Sequence, residues 1–302
     1  MKLVATVYPD SPAVERTRVA DYLQLAKPRL TTMALLTVAT GALLASAGAP
    51  DLGIICHTLI GAALVAVGAS ALNQFIERDS DALMRRTENR PLPAGRLQPL
   101  EVLVFGAALG TIGIAYLAVV LRQPAAAGVA ALTFASYVFV YTPLKRITSL
   151  NTLVGAVPGA LPPVIGWTAV RGTLDWEIGC LFAILFLWQV PHFLAIAWMY
   201  REDYGRAGMR MLPVVDTGGS MSGRQMVRYS LALIPASLTP LLFGRAGPVY
   251  LAGAVLLGVG FLSFAIAFAR LRTQRRARGV LRASLIYLPV LLALLMLDGA
   301  LQ

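Results

Sequence analysis

The sequence predicts an all-α integral membrane protein with nine transmembrane helices. Of the 302 residues, 57% are hydrophobic and only 14% are charged, and the mean hydropathy is +0.70. A soluble globular domain has about 25% charged residues. Nine uncharged stretches approach the ~20 apolar residues that a helix needs to cross a bilayer.

The nine stretches differ in length, and charged residues separate most of them. The seventh and ninth are short, so Arg228, Arg245 and Arg282 would have to snorkel for these two to cross the hydrocarbon. The stretches cover residues 30–48, 52–76, 102–121, 124–144, 147–170, 178–200, 229–244, 246–269 and 283–297.

The fifth stretch carries a run of glycine and proline residues, which is unusual in a helix that faces lipid. Irregular backbone is tolerated in a membrane only where it is buried in protein or lines a cavity. We therefore expect a broken or kinked helix at the cavity wall. The residues are Gly155, Pro158, Gly159, Pro162, Pro163 and Gly166.

The net charge of +11 reflects membrane topology. Of the 26 Lys and Arg residues, all but Arg122, Arg171 and Arg245 lie in the N-terminal segment or in alternate loops. The positive-inside rule assigns these loops to the cytoplasm, so we expect a cytoplasmic N-terminus, a periplasmic C-terminus and no nucleic-acid partner. Residues 1–29 lack the apolar core of a cleavable signal, which favours a bacterial inner membrane. We therefore expect two parts, a cytoplasmic tail at residues 1–29 and a single membrane domain at residues 30–302.

The first chemical motif, ALNQFIERDSDALMRRTENRPLP, lies where the second stretch ends, at residues 71–93. Asn73, Glu77 and Asp81 recur every four residues, so three oxygen-bearing side chains share one helix face along about 12 Å. Such ligands suit Mg²⁺, which commonly bridges to substrate phosphates. A solvated loop with internal ion pairs is the alternative, but polar groups at the edge of an apolar run are costly and often functional.

Basic residues accompany this motif and are suited to contacts with phosphate oxygens. The two in the loop after the fourth stretch are also compatible with positive-inside topology alone. The candidates are Arg78, Arg85, Arg86, Arg90, Lys145 and Arg146.

A second acidic motif, MYREDYGRAGMRMLPVV, follows the sixth stretch at residues 199–215. A carboxylate site facing the first would let two metal ions clamp one diphosphate between them. We expect Asp203, with Glu202, to hold the second ion. Anchoring of a helix end at the membrane interface is the alternative.

One of the two histidines, His192, lies within the sixth stretch, one helical turn after Trp188. An imidazole inside a membrane could serve as an axial haem ligand, a proton relay or a hydrogen-bond partner between helices. All three remain open.

Three segments in this order resemble the UbiA superfamily of membrane prenyltransferases, and within it the haem O synthase branch. The resemblance implies an all-α bundle of nine transmembrane helices around a central cavity, with a polar site at its cytoplasmic mouth. It also implies Mg²⁺-dependent transfer of farnesyl from farnesyl diphosphate, with water, to a vinyl group of protohaem IX. The segments are NQFIERDSDALMRRTENRPLP, YTPLKRITSLNTLVGAVPGALPPVIGW and WQVPHFLAIAWMYREDYGRAGMRMLPVV.

The same resemblance assigns roles to individual residues. Asn73, Glu77 and Asp81 match the family's first metal and diphosphate motif, and Asp203 matches the second. Glu77 departs from the family, which usually has aspartate there, and its longer side chain should still reach a cation. His192 becomes a candidate for holding or orienting haem, and a downstream haem A synthase is a candidate partner.

Three other functions fit parts of the pattern. A related prenyltransferase would act on a quinone precursor or another tetrapyrrole. A cation-coupled transporter would also have intramembrane acids and broken helices, but its acids should lie near the bilayer midplane. A non-catalytic assembly protein would have no need of two acidic sites.

Overall fold

The computed structural model describes residues 17–46, 48–244 and 246–300, which form helices joined by short loops. The tail expected at 1–29 is described only from residue 17, and Arg245 lies outside the described residues. The helices are α1 (Arg18–Leu25), α2 (Pro28–Ala45), α3 (Leu52–Asp81), α4 (Pro99–Ala115), α5 (Pro124–Ala135), α6 (Thr142–Ile147), α7 (Asn151–Ala160), α8 (Pro162–Arg171), α9 (Trp176–Met199), α10 (Arg201–Arg206), α11 (Leu212–Val215), α12 (Ser220–Leu242), α13 (Pro248–Leu271) and α14 (Gln274–Ala300).

Eight helical segments of the described chain are long and apolar enough to cross a membrane, which confirms the predicted all-α membrane fold class. The predicted count of nine spans is reached only with α12, which has 23 residues but carries Arg224 and Arg228 in its first turns. The eight segments are Pro28–Ala45, Leu52–Asp81, Pro99–Val120, Pro124–Ile147, Asn151–Arg171, Trp176–Met199, Pro248–Leu271 and Gln274–Asp298.

The ninth stretch is short in the sequence, but it is only part of a longer helix. Its apolar part belongs to α14, which has 27 residues and starts at Gln274. The sequence pattern did not predict the start of this helix at Gln274, because arginines in its first turns interrupt the apolar run. The uncharged part of α14 still begins after Arg282, so snorkelling of this arginine stays a prediction.

The break predicted in the fifth span is confirmed. Helix α7 ends at Ala160 and α8 begins at Pro162, with Leu161 between them. Proline suits the first position of α8, where its missing N–H would have no partner within the helix. Most side chains of both half-helices are buried, so the irregular backbone lies inside protein.

Helix α8 packs against α2 at van der Waals distance between backbones. A Cβ atom added at Gly166 would lie 1.9 Å from the Val38 carbonyl oxygen, and one at Gly41 would lie 2.0 Å from the Pro163 oxygen. Close approach of this kind is a main source of helix association in lipid, where the hydrophobic effect between helices is absent. These glycines therefore fix the position of the broken helix.

A π-helical turn, Ser136–Tyr141, joins α5 to α6. Such turns are rare and occur frequently at functional sites. This turn comes just before Thr142 and Lys145, whose side chains contact the acidic face of α3.

Candidate functional site

The first acidic motif forms the last turns of α3. Asn73, Glu77 and Asp81 are 1%, 6% and 0% exposed, so all three polar side chains are buried. The helix ends at Asp81, and Thr87 Oγ1 donates a hydrogen bond to the Asp81 carbonyl oxygen at 2.8 Å. The sequence periodicity thus predicted both the helix and the shared face.

Each of the three side chains accepts a hydrogen bond from one basic residue. Lys27 Nζ lies 2.8 Å from Asn73 Oδ1. Lys145 Nζ lies 2.7 Å from Glu77 Oε1. Arg90 donates to Asp81 Oδ2 at 2.6 Å. This pairing is necessary because an uncompensated buried charge costs several kcal/mol, roughly 3–5 when a buried pair is broken.

The second oxygen of Asp81 is an exception. Asp81 Oδ1 is buried and has no hydrogen-bond partner. Most buried polar atoms are hydrogen-bonded, and one that is not needs an explanation such as an ion. A carboxylate oxygen in this position is suited to a metal cation.

The amide of Asn73 is oriented by a second contact. Its Nδ2 donates to Thr142 Oγ1 at 3.1 Å, and Thr142 Oγ1 donates to the Tyr137 carbonyl oxygen at 2.8 Å. This chain of hydrogen bonds leaves Asn73 Oδ1 as the acceptor toward Lys27. The amide oxygen is therefore presented on the same side as the two carboxylates.

The second acidic motif lies in α10. Asp203 pairs with Arg206, one turn later in the same helix, and its side chain is mostly buried. Glu202 is exposed and makes no described ion pair. Asp203 is thus placed better than Glu202 to bind an ion at this motif.

Within the described parts of the chain, no three carboxylate, imidazole or thiol groups converge on one point. The first motif offers two carboxylates and one amide oxygen, and the second offers at most two carboxylates. Both sets suit Mg²⁺, which usually keeps several waters and takes one or two protein carboxylates together with substrate phosphates.

The structure separates the predicted phosphate-binding residues into two groups. Lys145 and Arg90 contact the acids directly. The others contact neither Glu77 nor Asp81. Arg78 pairs with the exposed Asp79 and lies over the Phe75 ring, Arg85 is exposed, Arg86 contacts Tyr204, and Arg146 donates to Ser80 Oγ.

Lys27 is the functional candidate that the sequence analysis missed. It precedes Pro28 with φ of 45°, a left-handed conformation that is strained for a residue other than glycine. Burial lowers the pKa of Lys27 to about 7, and the neighbouring Arg90 acts in the same direction. A lysine directly before a proline at the start of the first span was the available signal.

His192 lies apart from the acids, on the face of α9 that packs against α14. Its Nδ1 lies 2.8 Å from Ser284 Oγ, and Trp188 Nε1 donates to the Ser284 carbonyl oxygen at 2.8 Å. The Trp188 and His192 rings stack, with centroids 4.9 Å apart. The structure therefore contains the contact between helices, and no hydrogen bond to Nε2 is found within the described residues.

The sequence of this chain is similar to those of known proteins. The sequence profile of the UbiA prenyltransferase family matches residues 34–288. A protoheme IX farnesyltransferase of Solibacter usitatus is 50% identical, over 92% of this chain and 98% of its own. Those of Koribacter versatilis and Salinibacter ruber are 43% and 45% identical, over 95% and 92% of this chain and 96% and 98% of their own.

Solved structures share the fold at low identity. A digeranylgeranylglyceryl phosphate synthase superposes with a TM-score of 0.80 at 16% identity, covering 94% of this chain and 99% of its own. A UbiA homologue from Archaeoglobus fulgidus, bound to GPP and Mg²⁺, gives a TM-score of 0.64 at 13% identity, covering 93% of this chain and 100% of its own.

Proposed function

The chain belongs to the UbiA prenyltransferase family, and from that premise we propose that it transfers farnesyl from farnesyl diphosphate to protohaem IX. Water adds in the same reaction, and the products are haem O and diphosphate. The acceptor is argued from the relatives, which are 43–50% identical over nearly their whole length and are named protoheme IX farnesyltransferases.

The observation that carries the diphosphate half of the reaction is the unpartnered Asp81 Oδ1 within a buried set of oxygen donors. Asn73, Glu77 and Asp81 would hold one Mg²⁺, and Asp203, with Glu202 beside it, would hold a second. When bound, Mg²⁺ supplies positive charge against the diphosphate as the allylic C–O bond breaks. The Mg²⁺ in the structure of the Archaeoglobus fulgidus homologue supports this cofactor.

The basic residues that now pair with the acids would bind the diphosphate. Lys145 Nζ and the Arg90 guanidinium need only exchange a carboxylate oxygen for a phosphate oxygen. Lys27 would make the same exchange from Asn73 Oδ1. Hydrogen bonds from charged donors stabilise the departing diphosphate as its negative charge grows.

The apolar bundle supports the second half of the reaction. A farnesyl cation must be kept from water until the haem vinyl group attacks its C1 atom, and the helices exclude water. Water then attacks the cation formed next to the porphyrin and loses one proton. We assign His192 to holding or orienting haem, because the Ser284 contact fixes its ring and Nε2 is not engaged.

The same proposal includes a location and an orientation. The bacterial relatives and the membrane-spanning helices support the inner membrane. The arginine-rich loops lie at the acidic end of the bundle, so the positive-inside rule assigns that end and the N-terminus to the cytoplasm and the C-terminus to the periplasm. A downstream haem A synthase remains a predicted partner.

The test is a haem profile of the purified protein in detergent, by chromatography and mass spectrometry, after incubation with protohaem IX, farnesyl diphosphate and Mg²⁺. We expect a product heavier than protohaem by farnesyl plus water, and none after chelation. Parallel reactions contain 4-hydroxybenzoate as a quinone precursor. Prenylation of that acceptor by a well-folded protein that leaves protohaem unchanged would overturn the assignment.

A further inference from the structure

Arg86 connects the two acidic motifs. Its Nη2 donates to the Tyr204 hydroxyl at 2.7 Å. Its guanidinium lies over two rings, 4.8 Å from the centroid of Tyr204 and 5.1 Å from that of Tyr200. These two tyrosines flank Asp203 in the sequence, so Arg86 contacts the segment that carries the second motif.

On the other side, Arg86 is tied closely to the first motif. It follows Asp81 by five residues, in a tight turn. Met84 N donates to the Asp81 carbonyl oxygen at 3.3 Å, and Thr87 Oγ1 donates to the same oxygen at 2.8 Å. The residues on both sides of Arg86 are therefore bound to the end of α3, the helix that carries Asp81.

Apolar packing reinforces the connection. Met84 is 1% exposed and belongs to a small cluster that is separate from the main core. The other members all come from the second acidic motif and the turn of α9 before it. They are Ala197, Tyr204, Ala207, Met209 and Met211.

We propose that Arg86 is a positioning residue which, through Tyr204, sets the separation of the two acidic motifs. The inference rests on the proposed function, because a diphosphate clamped by two metal ions needs both sites at a fixed spacing. It gives Arg86 a different role from the phosphate contact expected from the sequence. The planar guanidinium is required, since lysine cannot stack on two rings and donate in the same way.

The test combines Arg86→Lys, Tyr204→Phe and the double variant. If Arg86 positions the motifs, each single change should raise the Mg²⁺ concentration for half-maximal activity by about tenfold, which equals about 1.4 kcal/mol. The double variant should be little worse than either single variant, since both remove the same contact. If Arg86 binds diphosphate directly, Arg86→Lys loses activity while Tyr204→Phe behaves like the wild type, and the proposal fails.

A second readout does not depend on turnover. Hydrogen exchange of residues 200–211, measured without substrate or metal, should accelerate several-fold in all three variants and stay at the wild-type rate in Arg224→Lys. Arg224 is an exposed arginine of α12 without a described contact, so it serves as the matched control. Unchanged exchange in Arg86→Lys would overturn the positioning role of Arg86. Absence of haem product from the wild type would overturn the proposed function alone.

Discussion

Replacing Asp81 by asparagine tests the metal site with the smallest change of shape. The substitution keeps the volume of the side chain but removes its charge and one of its two strong acceptor oxygens. Asp81 is fully buried, and Oδ1 has no partner. We expect turnover to fall by about 10²–10³-fold, because the loss of one preorganised electrostatic contact in a dry site costs about 2.7–4 kcal/mol.

Stability should change much less than activity. Asparagine can still accept the hydrogen bond from Arg90. The Arg90 side chain is 21% exposed, so it stays partly hydrated. We therefore expect a loss of about 1–2 kcal/mol, below the roughly 3–5 kcal/mol of a fully buried broken pair. A modest drop in the melting temperature in detergent, with a large loss of turnover, separates catalysis from folding.

The assay is the production of farnesylated haem at increasing Mg²⁺ concentrations, read by mass spectrometry. Glu88→Gln is the matched control, because Glu88 is an exposed acid of the same loop whose side chain makes no described hydrogen bond or ion pair. It should behave like the wild type. If Asp81→Asn keeps a third of the wild-type turnover with the same Mg²⁺ dependence, the unpartnered Oδ1 does not bind the metal and our reasoning is wrong.

Four further predictions address other parts of the chain. Because the folded-state pKa of Lys27 is lowered from 10.5 to about 7, stability should rise with pH between these values, and Lys27→Met should flatten this dependence in melting curves. For the same reason, binding of farnesyl thiodiphosphate at pH 8 should take up a proton, as calorimetry in buffers of different ionisation enthalpy would show. Gly166→Ala places a Cβ 1.9 Å from the Val38 oxygen and should lower the free energy of unfolding by at least about 1–3 kcal/mol. Gly260→Ala, whose Cβ would meet open space, should leave it unchanged. His192→Phe should weaken haem binding in a Soret titration and leave thiodiphosphate binding unchanged.

The sequence predicted the parts of the fold that depend on local periodicity. Runs of apolar residues located the spans, and the spacing of Asn73, Glu77 and Asp81 predicted a common helix face that the structure contains. The glycine and proline run predicted a broken or kinked helix, and the structure has the break at Leu161. Each of these features is set by residues close together in the chain, so one sequence was sufficient.

Features that depend on distant partners were beyond the same reasoning. Lys27 reaches Asn73 across 46 residues, and Arg86 reaches Tyr204 across 118. A long basic side chain can reach many partners, and the choice among them is made by tertiary packing. For that reason the arginines near the first motif could be recognised as a group, but their separate contacts could not be assigned.

The contacts of the basic residues also explain why acidic and basic residues are mixed in these loops. Without metal and substrate, buried carboxylates at a membrane surface require compensation, and Lys145, Arg90 and Arg206 supply it. A metal ion bound to the same carboxylates would release these cations beside an incoming diphosphate, which carries the opposite charge. One set of basic side chains can therefore stabilise the empty site and then the loaded site. Removing a single basic residue should consequently harm both folding and diphosphate binding, whereas loss of a solvated surface arginine should harm neither.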